Sequence, residues 1–241
     1  SGASTMPGGE YGRVSISGAG KVQGSLKCEE LHCSGAAKVQ GDVDCAGELH
    51  TSGAAKVAGS VRCGTLTASG TFSAQTVQVE GLASVSGSLR TEQALTADEL
   101  RASGSLEAGS VHCRALRSSG SCRVNGDVEA ETAVLSGAVQ IGGLLNAETV
   151  EISVNPAVHI SAIGGGTIRV LQKDTTTFLG IFRTSPGCAR IGSIEGDNIE
   201  LENVEAEIVR GKYVRIGHGC RIGTVEYGEN LEAEHGTVRQ S

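Results

Sequence analysis

The 241-residue chain carries a formal net charge of −7, 36 glycines, no Trp and only 2% aromatic side chains. Charges of both signs scattered along an acidic chain argue against a general nucleic-acid surface. The shortage of large side chains excludes a wide core, whereas 39% hydrophobic residues, mostly Val, Ala, Leu and Ile, suit a narrow one.

The opening SGASTMPGGE has no basic stretch followed by an apolar one, so no signal peptide is expected. SGAST ahead of Met6 reads as an expression scar, and residues 1–10 are assigned to that scar and a flexible lead. No apolar run approaches the roughly 18 residues of a transmembrane helix. The expected location is therefore cytoplasmic, with the eight Cys reduced, and at the inner face of the membrane only through partners.

From Tyr11 onward the chain repeats itself. Residues 34–45 read SGAAKVQGDVDC and residues 52–63 read SGAAKVAGSVRC. Ser-Gly begins at 17, 34, 52, 69, 86, 103, 119 and 136, in steps of 17, 18, 17, 17, 17, 16 and 17. Apolar residues keep the same register: Val22, Val39 and Val57; Leu26, Val43, Val61 and Val111; Leu31, Leu49, Leu66 and Leu116; Cys28, Cys45, Cys63 and Cys113. Within each unit the apolar residues alternate over short runs bounded by Gly and Ser, the pattern of strands joined by tight corners. Glycine at such corners is expected to supply positive φ. A 17-residue unit spans roughly 56 Å at about 3.3 Å per residue, one coil of a triangular parallel β-helix. Each coil must match the one below it, which is why the string recurs. So narrow a triangle is expected to exclude Phe.

The main β-helix is assigned to residues 11–171. Residues 172–187 interrupt it with an aromatic-rich segment, in which Phe178, Leu179, Ile181 and Phe182 form a candidate partner patch. The period resumes over 188–235, with Ile191, Ile208 and Val225 spaced by 17 and Ile199–Ile216 and Val214–Leu231 likewise. Whether these coils continue the first stack or form a second is open at this point. Residues 236–241 are a tail.

Chemistry is sparse. The Cys row falls on inward positions without a C-x-x-C pair and reads as core. His32 and His50 fall on the outer face, too few for a metal site. No phosphate loop, nucleophile elbow or H-E-x-x-H occurs, so no catalytic residue, cofactor or metal is assigned. Lys21, Lys38 and Lys56 stack as like charges, an arrangement that costs stability and marks a candidate contact for an anion or partner. The terminal coils of a β-helix leave unpaired backbone edges, which makes Val14, Ile16, Val225 and Leu231 candidate polymer-interface residues.

The units SGAGKVQGSLKCEELHC and SGAAKVQGDVDCAGELHT, with the later IEGDNIELENVEAEIVRGKYVRIGHGCRIGTVEY, resemble the bactofilins, bacterial polymer-forming cytoskeletal proteins. The resemblance implies an all-β, right-handed parallel β-helix. It also implies a non-enzymatic scaffold that polymerises end to end without nucleotide and serves cell shape, envelope or motility. Its expected partners are copies of itself, in a homo-polymer or end-to-end dimer, and unknown client proteins. No nucleic acid is expected, and membrane contact is expected to be indirect or weak, because MPGGEYG stands where such proteins carry a membrane-targeting stretch. Two rivals stay open: a monomeric β-helical binding module, and a left-handed β-helix acyltransferase, which would need a strict six-residue apolar period.

Overall fold

The computed structural model describes residues 3–172 and 187–234. The chain packs as two compact units, residues 1–125 and 126–241.

The first unit begins with β1 (Ala3–Ile16) and β2 (Ala19–Cys33), each bent around corners. It continues as short strands: β3 (Ala36–Val39), β4 (Val43–Thr51), β5 (Ala54–Val57), β6 (Ser60–Ala68), β7 (Thr71–Ala74) and β8 (Thr76–Val79). Then come β9 (Leu82–Val85), β10 (Ser88–Thr91), β11 (Ala94–Ala102), β12 (Ser105–Ala108), β13 (Ser110–Ser118) and β14 (Ser121–Val124). Strands pair in parallel with the strand one coil later, so Lys21 faces Lys38, Lys38 faces Lys56, and Leu31, Leu49 and Leu66 form one line. This is a parallel β-solenoid, all-β as the repeat requires.

Alternation buries every second side chain. In β4, Val43, Cys45, Leu49 and Thr51 point inward while Asp44 and Glu48 face solvent. The stacked inner residues form columns: Leu26, Val43, Val61 and Val77; Cys28, Cys45, Cys63 and Val79; Cys33, Thr51, Ala68 and Val85. Each fully buried Leu or Val removes apolar surface worth about 1.5–3 kcal/mol, so the columns carry the stability of the stack.

Three expectations are corrected here. Phe72 is fully buried; its column neighbours include Ala55, with Ala37 one coil further back, and those small side chains vacate the space its ring fills. Residues 3–10 are not a flexible lead but the first half of β1, which adds to the parallel edge of β2 and places Met6 against Val22. Of the Ser-Gly corner glycines, Gly137 alone has positive φ among the described residues, a conformation it shares with Gly9, Gly24 and Gly219, so most of these corners do not need it. Their reason is close approach. A Cβ on Gly53, Gly70, Gly87 or Gly104 would overlap the carbonyl oxygen of the corner glycine one coil earlier.

The second unit contains β15 (Val128–Leu135), β16 (Ala138–Ser153), β17 (Val158–Leu171), β18 (Ala189–Leu201), β19 (Val204–Ile216) and β20 (Arg221–Ala233). They stack in parallel in chain order. β18 lies directly on β17, with Ile160 facing Ile191 and Ile168 facing Ile199. The coils at 188–234 thus continue the stack of β15–β17. The period there is shorter than the sequence spacing suggests: Ile191 faces Ala206, not Ile208, and Ile199 faces Val214, not Ile216. β18 is a single 13-residue strand without the interruption that separates β3 from β4, and with the two-residue corner Glu202-Asn203 the coil spans 15 residues. Asn203 turns that corner at φ 51°, a left-handed region that Asn tolerates better than most residues.

Candidate assembly surfaces

Gly9, which faces Leu26, brings no side chain to the inner column. The Tyr11 ring stands beside it, within ordinary contact distance of where a Gly9 Cβ would be, and the Tyr11 hydroxyl donates to the Pro7 carbonyl at 3.1 Å. Val14 and Ile16, candidates for an end contact, are buried at 6% and 8% exposure against β2. They are core residues of the first coil as well as its edge. Sequence reasoning did not single out Tyr11, although a glycine in an otherwise Leu/Val column was a usable signal.

The last described coil is more open. Val225 and Leu231 continue the inner columns of Ile194–Val209 and Ile199–Val214, yet both are half-buried. Tyr213 and Tyr227 are exposed nearby, and the Tyr213 hydroxyl donates to the Glu229 carboxylate. An outer charge ladder runs along this face: Glu200 lies 3.8 Å from Arg169 and 3.0 Å from Arg215, which lies 3.9 Å from Glu232. Exposed pairs of this kind contribute about 0–1 kcal/mol each, so they help set register more than stability.

A polar cluster links the end of β17 to the corners that follow β18 and β19. The Gln172 backbone N–H donates to the Glu202 carboxylate, Asn203 Nδ2 donates to Gln172 Oε1 at 2.8 Å, and Asn203 Nδ2 lies 3.3 Å from His218 Nε2. Sequence reasoning did not identify this cluster, because its members are 15 to 31 residues apart. The aromatic patch Phe178, Leu179, Ile181 and Phe182 lies outside the described residues.

Lys21, Lys38 and Lys56 form one exposed column, continued by Ser73. His32 and His50 also stack, with ring centroids 5.5 Å apart, and Glu48 lies 4.0 Å from His50. Among the described residues no group of three or more His, Cys, Asp or Glu side chains is placed to hold a metal ion. Most of the buried thiols are held in their protonated form, whereas the hydrogen bond with Cys28 lowers Cys45. Burial raises Cys63 and Cys113 to about 12 and Cys122 and Cys220 to about 11. The Cys28 thiol is raised first by its hydrogen bond with Cys45 and then by burial. Protonated, buried thiols are poor nucleophiles and poor ligands, and these ones pack the core.

The stacked coils, the glycine corners and the repeated SGAAKV edge coincide with one family. Residues 9–75 match the bactofilin family, described as polymer-forming cytoskeletal. The bactofilin-matching segment runs from within β1 to the end of β7 and contains the lysine column, the His pair and Tyr11. Two curated proteins of Bacillus subtilis (strain 168) are similar. Uncharacterized protein YhbF is 37% identical over 100 residues, covering 41% of this chain and 40% of that protein. Uncharacterized protein YhbE is 40% identical over 90 residues, covering 36% and 37%. The chain thus spans about two fifths of the length of each relative. No solved structure matches it. Among the described residues no helix is long and apolar enough to cross a membrane.

Proposed function

We propose that the chain is a non-enzymatic, self-assembling cytoskeletal scaffold that polymerises end to end through its outermost coils without nucleotide. The observation that carries this reading is β20. Its inner columns end in Val225 and Leu231, which are half-buried where the equivalent Val209 and Val214 one coil back are buried. A second molecule stacked on that edge would bury both side chains and extend the ladder of backbone hydrogen bonds. The bactofilin match over residues 9–75 supports a polymer-forming role. No nucleotide step enters the reading, since the glycines serve corners rather than a phosphate loop. The scaffold would act in the cytoplasm on cell shape, envelope or motility and recruit client proteins, with membrane contact indirect or weak.

Negative-stain microscopy of the purified chain without nucleotide tests this, beside Val225→Asp and Leu231→Asp variants. Filaments or end-joined rods that vanish in both variants are expected. Single rods at every concentration would overturn the scaffold reading in favour of a monomeric binding module, and filaments that survive both substitutions would move the interface away from β20.

A further inference from the structure

The lysine column stands apart electrostatically. In the first unit Arg13, Lys27, Arg62, Arg90, Arg101 and Arg114 each lie within 4.0 Å of a carboxylate. Lys21, Lys38 and Lys56 sit on three successive strands with one another as cross-strand neighbours. The outward positions beside them are Ala19, Gln23, Ala36, Gln40, Ala54 and Ala58, none of them acidic. The first acid further along the column is Glu107, already paired with Arg90 at 3.3 Å. Three ammonium groups one strand spacing apart repel one another, so the isolated molecule carries a cost that an anionic surface would relieve.

The complementary surface is on the same chain. Residues 1–125 hold eleven Lys and Arg and eleven Asp and Glu, whereas residues 126–241 hold nine and sixteen. Three of those acids line a hollow of about 640 Å³ on the outer surface of β16–β18. It is lined also by the run Gly164–Gly166, which carries no side chains; Glu148 and Glu195 offer their carboxylates there, and Asp197 shares its own with Lys212 at 2.7 Å. Leu144, 41% exposed, lines the same hollow. Lysine is matched to such a place: its methylene stem covers an apolar side chain while its ammonium reaches the acids. The lysine face, by contrast, offers neither aromatic rings for stacked bases nor a large apolar anchor for an unrelated protein.

We propose that the Lys21–Lys38–Lys56 column of one copy seats on the Glu148–Glu195–Asp197 hollow of a second copy, joining molecules side by side. Both surfaces lie on the flanks of their coils, so the contact is separate from the end contact proposed above. It rests on the scaffold reading for its purpose, since many weak lateral contacts along a polymer sum to a stable bundle. Its electrostatic character makes it strong at low salt and weak near 1 M, where the screening length falls to about 3 Å.

The test is a charge swap. One variant carries Lys21→Glu, Lys38→Glu and Lys56→Glu; the other carries Glu148→Lys and Glu195→Lys. All five positions are on the molecular surface, and thermal unfolding checks that each variant keeps its fold. Sedimentation velocity at low salt reads lateral association on dispersed molecules, and micrographs read bundling. Each variant alone should associate at least tenfold more weakly than the parent, and an equimolar mixture should recover association, because acidic columns then meet basic hollows. A lysine variant that associates like the parent overturns the proposal, as does a mixture that stays dispersed. Vesicles containing phosphatidylglycerol that bind the parent but not the lysine variant, with the mixture still dispersed, would reassign the column to a lipid surface. Unbundled filaments in the variants leave the end-to-end reading standing; loss of end-joined filaments with lateral association intact would remove that reading alone.

Discussion

The Tyr11 hydroxyl donates to the carbonyl of Pro7 at 3.1 Å and so holds an exposed aromatic ring beside Gly9 in the first coil. Tyr11 stands in register with Cys28, a core position one coil later. Tyr11→Ser should remove that contact and lower the melting temperature by a few degrees, the effect of about 1–2 kcal/mol in a chain of this size. Calorimetry that found no shift would show that the ring merely rests on the surface.

Corner glycines should differ sharply by position. Gly70→Ala drives a methyl group into the Gly53 carbonyl, whereas a Cβ on Gly12 meets nothing nearer than Glu29 Oε2 at 3.9 Å. Gly70→Ala is therefore expected to cost at least about 2 kcal/mol, with Gly12→Ala near neutral. Paired urea denaturation curves decide it, and equal midpoints for the two would refute close approach as the reason for the Ser-Gly repeat.

Stability should fall on the alkaline side. A thiol in the unfolded chain ionises near pH 8.5, whereas Cys63 and Cys113 in the folded chain are raised to about 12 by burial. With the folded value above the unfolded one, their contribution is fully present below about pH 8.5 and is lost as the pH climbs toward the folded value. Denaturation midpoints across that range should decline, and should decline less in Cys63→Val. An unchanged slope in that variant would assign the loss to other groups.

The Asn203 corner should be sensitive to side chain and backbone separately. Asn203→Gly keeps the φ of 51° accessible but loses the bond to Gln172, while Asn203→Ala loses the bond and strains the backbone as well. The expected order of melting temperature is parent, then Gly, then Ala. Ala at or above Gly would mean that the turn, not the cluster, is relaxed in solution.

Much of this was visible in the chain itself. The columns of Leu31, Leu49 and Leu66 and of Cys28, Cys45 and Cys63 pair as their spacing requires, because a solenoid converts sequence period directly into spatial register. The failures have a common cause. Counting seventeen pairs Ile191 with Ile208, whereas a coil without its second corner seats Ile191 on Ala206. Phe72 was excluded by an average core width, and the alanines in its column made local room. The Tyr11 ring and the cluster of Gln172, Glu202 and Asn203 depend on contacts between distant or unlike positions, which a period cannot encode.

A stack built on close-fitting glycine corners also dictates how such a molecule can change length. In the first unit, excising the stretch from Ser52 to the residue before Ser69 would join one Ser-Gly corner to another and leave every inner column in step. Removing half that stretch would turn inward-facing leucines toward water. Length can therefore vary only in whole coils, each about 4.8 Å tall, and the protein behaves as a ruler whose smallest division is one copy of its own repeat.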